Sequence, residues 1–255
     1  MSRGRLLGLI LGLVPWLADA QVPSSGAWRL DASIAQSRLS GGRGTWRDAS
    51  ATATYRPRPD IWLSGGLQAS ERFGFHDTRL AIGAVKTFGD GGSAHLQLAS
   101  APNGHLLARS SLQLGGETGA ILNLSPSWNL GLGLDGQVAQ YSTSKVGSLQ
   151  PFVRLAARDG RALTLRIIET FGDFGTPLSG YAVRAEFPLS GQLRFNLAYA
   201  DAPESDSGVT LRSQSESLGT AFDLNDSLTL RLDATRDRYS RYHRDEIALG
   251  IARRF

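Results

Sequence analysis

The chain has no cysteine, and lysine occurs only at Lys86 and Lys145. Without cysteine there is no disulfide framework, no thiolate metal site and no thiol nucleophile. That composition fits a bacterial envelope protein better than a small disulfide-stapled secreted domain. After residue 20 no stretch is long and apolar enough for a transmembrane helix. No G-x-S-x-G, H-E-x-x-H, P-loop or dinucleotide fingerprint is present, so no cofactor and no metal is expected, and no enzyme chemistry is signalled. Acidic and basic side chains interleave, with no basic stripe of the kind that binds nucleic acid. No linker or shift of composition divides the chain.

What is present begins with an address. Arg3 and Arg5 precede an apolar run from Leu6 to Leu17, and Ala18-Asp19-Ala20 is a small-x-small cleavage site. This is the form of a secretory signal over 1–20, leaving a mature chain 21–255 that starts at Gln21. With Arg3, Arg5 and Asp19 gone, the formal charge of +4 falls by one.

From Trp28 onward the pattern is that of strands. Ile247, Leu249, Ile251 and Phe255 fall on one parity of the last segment, with Glu246, Ala248, Gly250, Ala252 and Arg254 on the other. Leu130, Leu132, Leu134 and Val138 alternate with Asn129, Gly131, Gly133, Asp135 and Gln137. Leu193, Phe195, Leu197 and Tyr199 alternate with Arg194 and Asn196. Many glycines lie inside such runs, which suits a curved sheet. Short breaks at Pro57–Asp60, Gly89–Gly92, Ser125–Ser127, Asp159-Gly160, Pro188–Gly191 and Asn225-Asp226, together with seven longer connections, divide the chain into fourteen strands, or twelve if the Ala101–Leu124 region is counted differently.

Alternate connections read as longer: Ser40–Gly44, Glu71–His76, Ala101–Gly104, Ser142–Gly147, Phe171–Leu178, Asp201–Gln214 and Arg238–Arg244. Short turns on one side and long loops on the other is the asymmetry of outer-membrane barrels. Trp28, Trp46, Trp62, Trp128, Phe187 and Tyr199 stand at strand ends, where an interfacial girdle would lie. The expectation is an all-β fold, a single closed antiparallel transmembrane β-barrel of the outer membrane. A soluble β-sandwich alternates in the same way, with its polar face to water.

Val146-Gly147-Ser148-Leu149-Gln150-Pro151 opens a strand pair broken at Asp159-Gly160. Ala198-Tyr199-Ala200-Asp201-Ala202-Pro203-Glu204 and Leu224-Asn225-Asp226-Ser227-Leu228 precede a closing hairpin that ends in Phe255. In these motifs the chain resembles the YaiO-type family of outer-membrane β-barrels. The resemblance implies a central proline-started strand, no catalytic motif, and a surface or sugar-export role beside envelope polysaccharide machinery. A terminal strand ending in Phe255 also resembles the signal read by the barrel-assembly machinery.

The candidate lumen residues are Arg154, Arg166, Arg184 and Arg194 with Glu186 and Asp135. Either these pair and fill the barrel, or part of the arginine ladder stays free and attracts anions. Asp223, Arg231 and Asp233 read as an internal salt-bridge set. Among the histidines only His95 stands mid-strand on the polar parity, the one place for a barrel-embedded, lipid-modifying site. Asp201, Glu204 and Asp206 read as a solvated acidic loop, without calcium-loop spacing. The expected function is a monomeric narrow pore or surface barrel passing a saccharide or small anionic solute. The alternative is a plugged barrel whose loops bind a partner. Outer-membrane lipid is a partner in either case.

Overall fold

The computed structural model describes residues 27–255 except 42, 43, 90, 126, 174 and 207. The secretory signal expected over residues 1–20 lies outside them. The described residues form one antiparallel sheet that closes on itself. Its strands are β1 (Trp28–Leu39), β2 (Thr45–Arg58), β3 (Ile61–Arg72), β4 (Phe75–Thr87), β5 (Ser93–Ser100), β6 (Ser110–Glu117), β7 (Leu122–Ser125) and β8 (Trp128–Gln140). They continue as β9 (Lys145–Ala157), β10 (Ala162–Gly172), β11 (Leu178–Pro188), β12 (Leu193–Asp206), β13 (Val209–Asn225), β14 (Leu228–Tyr239) and β15 (Tyr242–Arg254). Each strand pairs with the next except β6, which pairs with β8, and β1 pairs with β15 in the register Ile34↔Leu249.

β6 and β7 are one stave. Both pair with β8, and the ladder steps from Glu117↔Gly133 to Leu122↔Leu130, so the first strand holds extra residues in a bulge. The barrel therefore has fourteen staves.

Its polarity is inverted relative to a soluble sheet. Ile34, Ile82 and Ile247 are 60% or more exposed, whereas Arg72 and Arg244 are 2% and 6% exposed. Along β14, Leu230, Leu232 and Ala234 face out while Thr229, Arg231 and Asp233 face in. A sandwich would cover its apolar parity, and this molecule covers its polar one. The outward apolar band ends before the strands do. On β1 it gives way to Gln36 and Arg38, on β4 to Thr78 and His76, and on β12 to Asp201. The rim that carries Trp28 and Phe255 is called here the terminal rim, and the other the far rim.

Two sequence expectations are corrected. The long connections at the far rim are mostly strand. Glu71–His76 is a two-residue turn at Phe73 and Gly74, both with positive φ, the conformation that matches strand twist in a tight hairpin. Asp201–Gln214 prolongs β12 and β13, and Arg238–Arg244 turns at Ser240-Arg241. Among the described residues the longest connection is 101–109. The asymmetry between the rims lies in how far strands run past the apolar band rather than in loop length.

The second correction concerns aromatics. Trp28, Trp128, Phe187 and Tyr199 face outward, and Trp28 stacks on Tyr55 with ring centroids 4.7 Å apart. Trp46 and Trp62 face inward. They share parity with Asp48 and Ser50, and with Ser64 and Gln68, so their rings meet lumen arginines instead of lipid.

Candidate functional site: the lumen

At the terminal half, guanidinium groups share carboxylates. Glu186 on β11 accepts from Arg154 at 3.2 Å and from Arg184 at 2.9 Å. Asp31 on β1 lies 2.8 Å from Arg29 and 3.0 Å from Arg231. Arg194 meets Asp223 at 2.8 Å, and Thr229 Oγ1 donates to the same carboxylate at 2.5 Å. Of the set Asp223, Arg231 and Asp233, Asp223 thus pairs onto β12 and Arg231 onto β1, while Asp233 faces Arg231 and Arg184. Side chains two residues apart on one face, or opposite across a ladder, come within reach of each other, which is why Arg184 and Glu186 meet.

In the middle, Arg166 donates to Asp135 at 2.6 Å and to Gln150 at 2.8 Å, and its guanidinium lies 4.7 Å from the Phe152 ring centre. His95 stands 3.6 Å from Asp135. These side chains lie flat because the wall beneath them is glycine. A Cβ on Gly133 would sit 2.0 Å from the Phe152 ring, and one on Gly115 2.1 Å from Asp135 Oδ1. His95 faces the lumen, not lipid, and among the described residues it hydrogen-bonds no serine.

The far half is built differently. Trp46, 1% exposed, is flanked by Arg72 at 4.6 Å and Arg244 at 5.3 Å from its ring. Arg72 Nη2 donates to Asp48 at 3.3 Å, and Ser70 Oγ to Asp48 at 2.5 Å. Arg244 holds Asp237 at 2.6 Å and lies 3.8 Å from Glu204, which accepts from Tyr239 OH at 2.8 Å. Leu39, Trp46 and Tyr242 form an apolar cluster, with Tyr239 against it. Glu204 lies above the outward apolar band; burial pushes its carboxyl up, and the Arg244 charge opposes that. It is therefore no part of a solvated acidic loop. Asp201, one parity away, faces out and binds Arg212 at 2.6 Å.

Two further devices narrow this mouth. Connection 101–109 turns inward, with Leu106 and Leu107 buried, and the Asp77 carboxylate accepts the backbone N–H groups of His105, Leu106 and Leu107 at 2.7–2.9 Å. Burial alone would raise the Asp77 pKa, but these three N–H groups outweigh it and hold the carboxyl below its usual range. Across the barrel, the β12–β13 tip bends over to the β8–β9 turn. Tyr141 OH donates to Ser205 O at 3.2 Å, and Ser144 Oγ to Gly208 O at 2.9 Å. Four strand spacings, roughly 19 Å of wall, separate those hairpins, so their contact roofs part of the opening.

The structure thus puts all six sequence candidates on the inward face, and all four arginines among them have carboxylate partners. Sequence reasoning missed Asp31, Asp48, Asp77, Trp46, Arg72 and Arg244. Their inward parity was available, but the register that joins β1 to β14 and β12 to β15 was not.

No family model matches the chain, and no curated protein does. Among solved structures it is similar to the CymD monoaromatic hydrocarbon channel, with a TM-score of 0.55 and 11% identity over 91% of this chain and 88% of that one. It is also similar to the toluene transporter TbuX of Ralstonia pickettii, with a TM-score of 0.54 and 9% identity over 91% of this chain and 90% of that one. The chain shares the fold of these barrels.

Proposed function

We propose that this chain is a YaiO-type pore of the bacterial outer membrane, non-enzymatic, with its terminal rim in the periplasm. It passes a narrow polar solute, an anion or an acidic saccharide. The observation that carries this reading is the continuous polar inner wall with arginine pairs at its terminal half. Two carboxylates, Glu186 and Asp31, are each shared by two guanidinium groups. Together with Asp233, which faces Arg184 and Arg231, the two triads hold four guanidinium groups against three carboxylates, a surplus that attracts anions without an unpaired arginine. The two similar barrels are a hydrocarbon channel and a toluene transporter. A wall of Arg, Asp, Glu and Gln suits neither cargo, because an apolar solute cannot replace the water such groups would lose.

A membrane setting follows from the outward apolar band, and an even stave count places both ends of the barrel at one rim. The test is conductance in planar bilayers. Unitary steps with anion preference are expected, and the Arg184→Ala, Arg194→Ala double variant should reduce that preference. Unchanged ion selectivity in a conducting barrel would sink the anion path. A folded barrel that never conducts would favour the second reading, a plugged barrel, for which the far-mouth network and the Tyr141–Ser205 contact speak.

A further inference from the structure

The inward arginine Arg79 has no carboxylate. It shares the inward parity of Asp77 on β4, and its Nη2 donates to Ser111 Oγ on β6 at 3.3 Å. The side chain reaches across β5, where Ala99, in register with Ser111, is too small to obstruct it. Asp77 does not neutralise it, because that carboxylate is turned to the N–H groups of His105, Leu106 and Leu107. Of the titratable side chains among the described residues only Tyr141, a neutral phenol, bears on its charge, and its Nε is buried without an acceptor. Arg56 also lacks a carboxylate, but it is 6% exposed, with the Trp62 ring against its face and the Pro59 carbonyl accepting from it. Arg79 is only half-buried, so a solute can reach it.

The groups beside Arg79 add donors and no negative charge. Ser111 Oγ accepts from the guanidinium, so its own proton is free to donate. One inward row nearer the terminal rim, the neutral amides of Gln97, Gln113 and Gln137 stand side by side across β5, β6 and β8. A partly desolvated cation is tolerable only with a counter-charge. A guanidinium fork beside a hydroxyl matches the oxygens of a carboxylate or phosphate. We infer that Arg79 and Ser111 form a binding site for a single oxyanion group, one inward row beneath the Asp77 anchor of connection 101–109. The glutamine row is placed to meet the hydroxyls of a saccharide that bears the group. The inference deepens the pore reading above and rests on it.

The folded barrel, in a non-ionic detergent at low salt, is titrated calorimetrically with glucuronate, inorganic phosphate and glucose. One glucuronate or one phosphate per barrel is expected, each displacing the other, with glucose at least about tenfold weaker than either. Tighter binding of glucuronate assigns the group to a sugar, and tighter binding of phosphate assigns it to a free ion. Arg79→Gln should weaken oxyanion binding at least about tenfold, Arg79→Lys should retain part of it, and Ser111→Ala should weaken it about threefold. Arg238→Gln, on the outward face, should leave this binding unchanged. The site is overturned if the unaltered chain shows no saturable oxyanion binding, or if Arg79→Gln weakens it no more than Arg238→Gln does, even where the barrel conducts with anion preference. Saturable, Arg79-dependent binding to a barrel that never conducts removes the pore and leaves the site.

Discussion

The two halves of the lumen use the same residue types to opposite ends. At the far half, Arg72 and Arg244 are almost fully buried, stacked on Trp46 and locked to Asp48 and Asp237. At the terminal half, Arg184, Arg194 and Arg231 keep a quarter to a third of their side chains exposed while pairing with Glu186, Asp223 and Asp31. The difference is the aromatic and apolar company. Leu39, Tyr239 and Tyr242 exclude water at the far half and make the pairs a closure. The terminal-half pairs remain wet, so their fields reach the lumen. Charge alone therefore does not tell a plug from a path; burial does.

The sharpest way to break this contrast is Trp46→Ala, which removes the plate between two guanidinium groups. It should cost about 3–5 kcal/mol, read from the urea midpoint of the folded barrel. A cost near zero would mean the far half is no core. Asp77→Asn comes next, because three backbone N–H groups lose their ionic acceptor. Hydrogen bonds to a charged group are worth roughly 1.5–3 kcal/mol, and release of the 101–109 connection should raise conductance without moving selectivity.

The pH form of that test has a definite sign. The folded Asp77 carboxyl titrates below its unfolded value, so its anchoring is fully present above the unfolded pKa. It is lost as pH falls through the folded pKa, and conductance should rise only in strong acid. Tyr141→Phe removes one hydroxyl from the hairpin contact and should cost about 0.5–1.5 kcal/mol, seen as faster amide exchange at 205–210. Glu186→Gln sharpens the comparison from the other side. It should leave stability nearly unchanged and increase anion preference about threefold, close to 0.7 kcal/mol of discrimination. Glu186→Gln acting on stability alone would place the terminal half with the far half.

The barrel was legible because hydrophobic alternation survives wherever lipid meets one face, as along Leu228–Leu232 and Leu130–Val138. Beyond the apolar band the signal fails. Asp201–Gln214 is polar on both parities and reads as loop, yet β12 and β13 pair through it, from Asp201↔Gln214 to Asp206↔Val209. The partners Glu186 and Asp135 could be read from parity. The sharing of Asp31 by Arg29 and Arg231 could not, since it depends on β15 lying between strands far apart in sequence. Trp46 and Trp62 stand at strand ends, as girdle residues would, although their parity with Ser50 and Ser64 points inward.

Gly133 carries one more implication. The bore here is set less by the bulk of the residues on it than by how closely they can recline. The smallest possible addition to the wall, a single methyl group under Phe152, would tip a whole benzyl ring toward the axis together with the guanidinium that rests on it. Calibre in this tube is governed from beneath, by hydrogen atoms.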